Sequence, residues 1–197
     1  MKSLLASITL AYPIGALMLL ETGGDGVRFK PRPVEGVKNV LTADPEELIL
    51  DGQQRLTSLY LSLISKEPVL TTTDKKEKIK RYYYLDMKKC LNPDIDRLEA
   101  IVSVPEDKKI TSDFGRKVEL DLSTRSLEFK NSMFPLNIIY DLPKYYEWIN
   151  EYREYYNHSS EISAFSSKFE QEIFLVFQQY EVPVIRLTKE TPKEAVC

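Results

Sequence analysis

The chain has 197 residues, 43% of them hydrophobic and 29% charged, and carries a formal net charge of −3. That length supports one domain of roughly 100–200 residues with a real core, and the composition is that of a soluble globular protein rather than a disordered or membrane chain. With no global basic field to draw in nucleic acid, any DNA contact falls to a local patch or to another domain.

Residues 2–11 read as a short helix with Leu4, Leu5 and Ile8 on one face. Tyr12 marks its end, because the residue before a proline is pushed out of the helical region. A strand follows over about 16–21. The apolar run 11–20 is not a signal peptide: Lys2 is the only early cation, Pro13 and Gly15 interrupt it, and no small-residue cleavage site precedes Glu21. It is also shorter than the roughly 18 residues of a membrane span. Thr22-Gly23-Gly24-Asp25-Gly26 reads as a hairpin turn, since no Lys-Ser/Thr follows as a P-loop requires. Arg28, Lys30 and Arg32 alternate along an extended run broken by Pro31 and Pro33. As a strand it sets three cations on one face, either to meet phosphate or nucleic acid or to guard a sheet edge from self-pairing.

The densest chemistry lies in 48–63. Leu48-Ile49-Leu50 reads as a strand, Asp51-Gly52 breaks it, and Leu56, Leu59, Tyr60 and Leu63 resume at i, i+3, i+4 and i+7, the stripe of an amphipathic helix. Between them stand a carboxylate, a glycine, two carboxamides and a guanidinium. The first N–H groups of a helix lack intrahelical partners and carry the positive end of the macrodipole, so the junction suits phosphate. Arg55 presents a fixed fork of donors, and Gly52 lets the backbone approach closely or take positive φ. Gln53 and Gln54 can orient a water or a ribose hydroxyl. Asp51 is suited to capping the helix, to holding a divalent cation, or to accepting a proton from attacking water. A plain turn with Arg55 as a surface charge explains the same residues without function.

The stretch 65–81 is polar, and its charge run 74–81 reads as a solvated face or loop, with a DNA-binding patch as the alternative. Tyr82-Tyr83-Tyr84-Leu85-Asp86-Met87 reads as a strand whose tyrosines are buried in the sheet or stack on bases. Another strand is expected at 100–104. The interval 106–131 is charged and weakly patterned, a variable excursion with too few apolar residues for a second core. Residues 135–140 read as an extended segment leading to a helix over about 143–157, with Asp141 as N-cap and Pro143 in the first turn. That helix is aromatic on more than one side. A second, over about 161–179, carries Phe165, Phe169, Ile173, Phe174 and Phe177, and the two form an antiparallel hairpin. His158 falls in their connection, as a loop residue or a catalytic base. A last strand is expected at 182–187, then a helix beginning near Lys193. Cys90 and Cys197 offer neither metal-ligand spacing nor a disulfide framework, which points to a reducing cytoplasm.

Leu50-Asp51-Gly52-Gln53-Gln54-Arg55-Leu56-Thr57-Ser58-Leu59 closely resembles the signature of the ParB-like N-terminal domain of GmrSD-type modification-dependent restriction proteins. Two further segments are similar to that family. One is Leu4-Leu5-Ala6-Ser7-Ile8 with Tyr12-Pro13-Ile14-Gly15, and the other is Tyr180 to Ile185 with Lys193-Glu194-Ala195-Val196. The resemblance implies an α+β (mixed α/β) fold, a ParB/sulfiredoxin-like core with the helical hairpin in the C-terminal half, as a single domain over 1–197. Family members carry an Arg-x-x-Val-Trp-like segment before the first helix and an Asn-Thr-Gly-Gly-like loop after the last, so the chain is expected to be truncated at both ends. The resemblance also implies binding and hydrolysis of a nucleoside triphosphate with Mg²⁺ or Mn²⁺. Asp51, Gln53 and Gln54 are the expected catalytic residues, and Gly52, Arg55, Thr57 and Ser58 the expected nucleotide ligands, with Asp51 at the metal. The expected partners are an HNH-type nuclease domain or subunit and modified DNA reached through another domain, with no membrane. The alternatives are a non-catalytic ParB-like module for nucleotide or DNA, and an inert fragment.

Overall fold

The computed structural model describes residues 1–23, 30–37, 44–72 and 76–191. The first part of the chain gives α1 (Lys2–Thr9), β1 (Leu17–Glu21), β2 (Glu47–Asp51), α2 (Gln53–Leu63), β3 (Val69–Thr72) and β4 (Lys78–Asp86). Two single-turn helices, α3 (Met87–Cys90) and α4 (Arg97–Ala100), lead to β5 (Ile101–Pro105), β6 (Lys109–Ser112), β7 (Lys117–Asp121), α5 (Arg125–Asn131) and β8 (Met133–Pro135). The last part holds α6 (Leu142–Tyr155), α7 (Ser160–Phe169), α8 (Leu175–Gln179) and β9 (Val184–Leu187), with a π-helical turn at Glu170–Phe174 making α7 and α8 one continuous rod. The fold is α+β, and among the described residues no helix is long and apolar enough to cross a membrane.

One sheet has the order β2-β1-β9, with β2 antiparallel and β9 parallel to β1. A second runs β3-β4-β5, antiparallel throughout, with β8 added to β4, and β6 and β7 form a separate hairpin. Strand β4 organises the packing. Its alternation sends Tyr83 and Leu85 to the main core and Tyr84 to a second cluster with Val104, Leu122 and Met133.

The main core is aromatic. Tyr145, Trp148 and Tyr152 of α6 meet Phe169, Phe174 and Phe177 of the α7–α8 rod, Phe134 of β8, and Leu5 and Ile8 of α1. Trp148 stacks on Tyr152 at 5.3 Å, and Tyr145 on Phe174 at 3.6 Å. Each such side chain contributes about 1.5–3 kcal/mol by leaving water, so α6 and the rod hold the helical hairpin together. Asp141 caps α6 by accepting from the Lys144 N–H, as its position before Pro143 predicts.

Several expectations are revised. The described arm 30–37 contains no strand, and its alternating cations do not form a sheet face. Pro31 and Pro33 have no N–H to give a ladder, which accounts for the difference. Arg28, the turn at 24–26 and the helix near Lys193 lie outside the described residues. Lys78 to Arg81, read as solvated, instead extend β4 and alternate between exposed and half-buried. Residues 136–138 form a 3₁₀ turn rather than continuing extended. The interval 106–131 folds as the β6–β7 hairpin plus α5 and sends Leu122 and Phe129 into the two clusters. Its buried Glu128 accepts from Tyr84 Oη at 2.9 Å and Trp148 Nε1 at 3.1 Å, with Lys108 Nζ at 3.6 Å.

Candidate functional site

Strand β2 runs into α2 through a single residue. Gly52 is the N-cap, at φ +90°, in the left-handed region that glycine alone enters without cost. Built on Gly52, a Cβ would fall 2.3 Å from Leu17 Cδ2, so glycine also lets β1 pack against the junction. The Leu56 N–H donates to Gly52 O at 3.0 Å and closes the first turn. No side chain caps α2, and Asp51 in particular does not. The first N–H groups of the helix therefore keep their capacity for an anion.

Arg55 folds back on the junction, its Nη2 3.4 Å from where a Gly52 Cβ would lie. Its Nη1 donates to Ile14 O at 2.9 Å and its Nη2 to Asp51 Oδ2 at 2.8 Å. The guanidinium fills the space beside Gly15, where a Cβ would lie 2.3 Å from Nη1. The side chain is only 27% exposed, whereas that of Asp51 is 70% exposed. The Tyr12-Pro13-Ile14-Gly15 turn is held from the other end of the chain too. Tyr180 Oη donates to Tyr12 O at 2.6 Å, and the Leu17 N–H to Pro183 O at 2.8 Å. The described parts of the three segments that carry the sequence resemblance thus meet at one place, with Arg55 as the brace between two of them.

Along α2 lies a cleft of about 1260 Å³. Its walls are Gln53, Gln54, Thr57, Ser58 and Leu61 of α2, residues 47–50 of β2, parts of β3, and the arm over 30–35. Strands β2 and β3 end their respective sheets, so the cleft separates the two sheets at their margins. The expected site residues therefore divide. Gln53, Gln54, Thr57 and Ser58 line the cleft; Asp51, Gly52 and Arg55 form the strand-to-helix junction next to Gln53. Gln53 is fixed in place, its Nε2 donating to Ile49 O at 2.8 Å and its Oε1 accepting from Arg32 Nη2 at 3.4 Å. Gln54, Thr57 and Ser58 have no side-chain hydrogen bond to any described residue.

Among the described residues no three or more His, Cys, Asp or Glu side chains gather as a metal cage. His158 is exposed in the α6–α7 connection at φ +52°. Cys90 is buried, and burial pushes its thiol up to about 12 against a smaller opposing pull from Arg97, which keeps it protonated at neutral pH. What the sequence did not disclose is the Ile14 carbonyl as a partner for Arg55. The one local signal for it is Gly15, whose missing Cβ leaves room for the guanidinium.

The family model for the GmrSD restriction endonuclease N-terminal domain matches residues 1–197. The uncharacterized protein MJ0686 of Methanocaldococcus jannaschii is 27% identical over 182 residues, which cover 88% of this chain and 28% of that protein. No solved structure matches. With the family model spanning the whole chain, the protein belongs to the GmrSD restriction endonuclease N-terminal domain family.

Proposed function

We propose that this chain binds and hydrolyses a nucleoside triphosphate, with Mg²⁺ or Mn²⁺, as the nucleotide-handling domain of a modification-dependent restriction protein. One observation carries the reading: Gln54, Thr57 and Ser58, with no side-chain hydrogen bond to any described residue, stand on a cleft wall beside a helix N-terminus that no described side chain caps. These side chains have hydrogen-bonding capacity open to a polar guest, and the helix N-terminus favours an anionic one.

In this reading the phosphates lie against the first N–H groups of α2, and the Thr57 and Ser58 hydroxyls, one turn on, donate to the same ligand. Gly52 and Arg55 serve the site by shaping the junction. Gln53, held by Ile49 and Arg32, and Gln54, whose amide has no partner among the described residues, orient the nucleophilic water. The Asp51 Oδ2 is taken by Arg55, leaving Oδ1 for a cation or for the proton of the water. A magnesium ion that arrives with phosphate oxygens and waters needs only one or two carboxylates, so a lone Asp51 fits a nucleotide-borne ion and not a protein-built cage. Such an ion supplies neutralisation of phosphate charge. In hydrolysis the water oxygen bonds to the γ-phosphorus, the bond to the bridging oxygen breaks, and the diphosphate leaves. Positioning and charge stabilisation, which this residue set provides, carry most of such a barrier.

In this reading the activity serves an HNH-type nuclease domain or subunit and modified DNA reached through another domain. A second reading, nucleotide binding without turnover, is favoured by the Asp51–Arg55 ion pair, which engages one oxygen of the carboxylate that would act on the water. Phosphate release from a panel of nucleoside triphosphates, measured for this chain and for Asp51→Ala, decides between them. Turnover that disappears in the variant supports catalysis at Asp51, and unchanged turnover refutes it. Binding with no release in either protein supports the second reading.

A further inference from the structure

A triphosphate brings several negative charges, and the first-turn arginine is occupied elsewhere. Arg55 donates to Ile14 O and to Asp51, and is enclosed against the α1–β1 turn. The cationic side chains on the described lining of the cleft are instead Lys30 and Arg32. The acids on that lining are Glu35 and Glu47, and Glu47 already accepts from Arg186 Nε at 3.0 Å.

Arg32 also sits at the right place. Its Nη2 is 3.4 Å from Gln53 Oε1, at the first residue of α2, beside the uncapped N–H groups. A hydrogen bond of that length to an uncharged amide oxygen is weak, and a phosphate oxygen is a far better acceptor for a guanidinium. The segment that carries Arg32 is pre-formed rather than slack. Pro31 and Pro33 fix φ on either side, and Gly36 packs so closely on α2 that a Cβ there would lie 2.5 Å from Leu61 Cδ2.

Building on the nucleotide reading above, we infer that Arg32 is the side chain that grips the phosphates in the cleft, exchanging Gln53 Oε1 for phosphate oxygens, while Arg55 remains part of the frame. Release of Gln53 Oε1 on binding then frees that amide oxygen to accept from the nucleophilic water, so one exchange both charges the site and completes its polar wall. Lys30, on the same arm, adds a point charge of lesser specificity.

The test is a fluorescence titration of an N-methylanthraniloyl nucleoside, its monophosphate and its triphosphate, with Mg²⁺, into the wild-type chain, Arg32→Ala, Arg32→Lys and Arg55→Lys. Wild-type affinity should climb with phosphate number. Arg32→Ala should weaken the triphosphate about tenfold or more, the scale of one lost charged hydrogen bond, and flatten that climb while leaving the nucleoside unchanged. Arg32→Lys should recover part of it, and thermal unfolding of both Arg32 variants should match the wild type because the side chain is exposed. A wild-type climb that survives intact in Arg32→Ala, or one abolished only by Arg55→Lys in a chain of unchanged stability, overturns the assignment to Arg32. A wild-type chain that binds none of the three probes overturns the nucleotide reading itself, and this inference with it.

Discussion

Replacing Arg55 by alanine separates a brace from a ligand. The guanidinium makes a charged hydrogen bond to the partly buried Ile14 carbonyl at 2.9 Å, a type worth about 1.5–3 kcal/mol. Its ion pair with Asp51 is discounted for solvent, because the Asp51 side chain is 70% exposed; such pairs contribute about 0.3–0.5 kcal/mol. Together the loss is roughly 2–3.5 kcal/mol, and at this chain length each kcal/mol moves Tm by roughly 2–4 °C. Arg55→Ala should therefore unfold roughly 4–14 °C lower than wild type, while Asp51→Ala, losing only the exposed pair, stays within about 2 °C. Gly15→Ala should imitate Arg55→Ala, since its new Cβ would lie 2.3 Å from Nη1 and the residue sits at φ +88°. Differential scanning calorimetry of the three variants gives the comparison directly. Equal, small shifts for Arg55→Ala and Asp51→Ala would refute the brace, most plainly if triphosphate binding were lost at the same time.

Other consequences follow from the core. Glu128→Ala strands the buried Tyr84 hydroxyl and Trp148 indole N–H together, and should cost about 3–5 kcal/mol in urea unfolding, against about 1–2 kcal/mol for Glu128→Gln, which keeps one acceptor. Trp148 is the only tryptophan, so its fluorescence reports the change, and equal stability of Glu128→Ala and wild type would remove Glu128 from the core account. Burial raises the Cys90 thiol from 9.0 to about 12 and raises Tyr84 and Tyr145 as well. The native state then holds protons that the unfolded chain releases, so stability is complete below pH 9 and declines as pH rises towards 12. Cys90→Ala should make that decline shallower, and an unchanged slope would show that the thiol takes no part.

Much of this architecture is legible from local pattern. The change from an apolar run at 48–50 to i, i+3, i+4 spacing marks the β2–α2 junction, and the aromatic spacing of α6 and α7 marks their hairpin. What is not legible depends on distant groups without a side-chain signature. The partner of Arg55 is a backbone carbonyl 41 residues earlier, and any residue type supplies one. The 106–131 interval looks like an excursion because its contribution is a few well-placed residues. Glu128 in particular reads as surface charge until Tyr84 and Trp148, 44 and 20 positions away, are seen to donate to it. The arm at 30–37 misleads in the opposite sense, since alternation of cations suggests a strand where the prolines prevent one.

Amide hydrogen exchange with and without a saturating Mg²⁺–triphosphate decides whether α2 holds the nucleotide, because it reads where a ligand sits as well as whether it binds. Added protection concentrated in the first turns of α2, from Gln53 to Ser58, and in the arm around Arg32 is the result expected. Protection confined to other parts of the chain, or none anywhere, would contradict it.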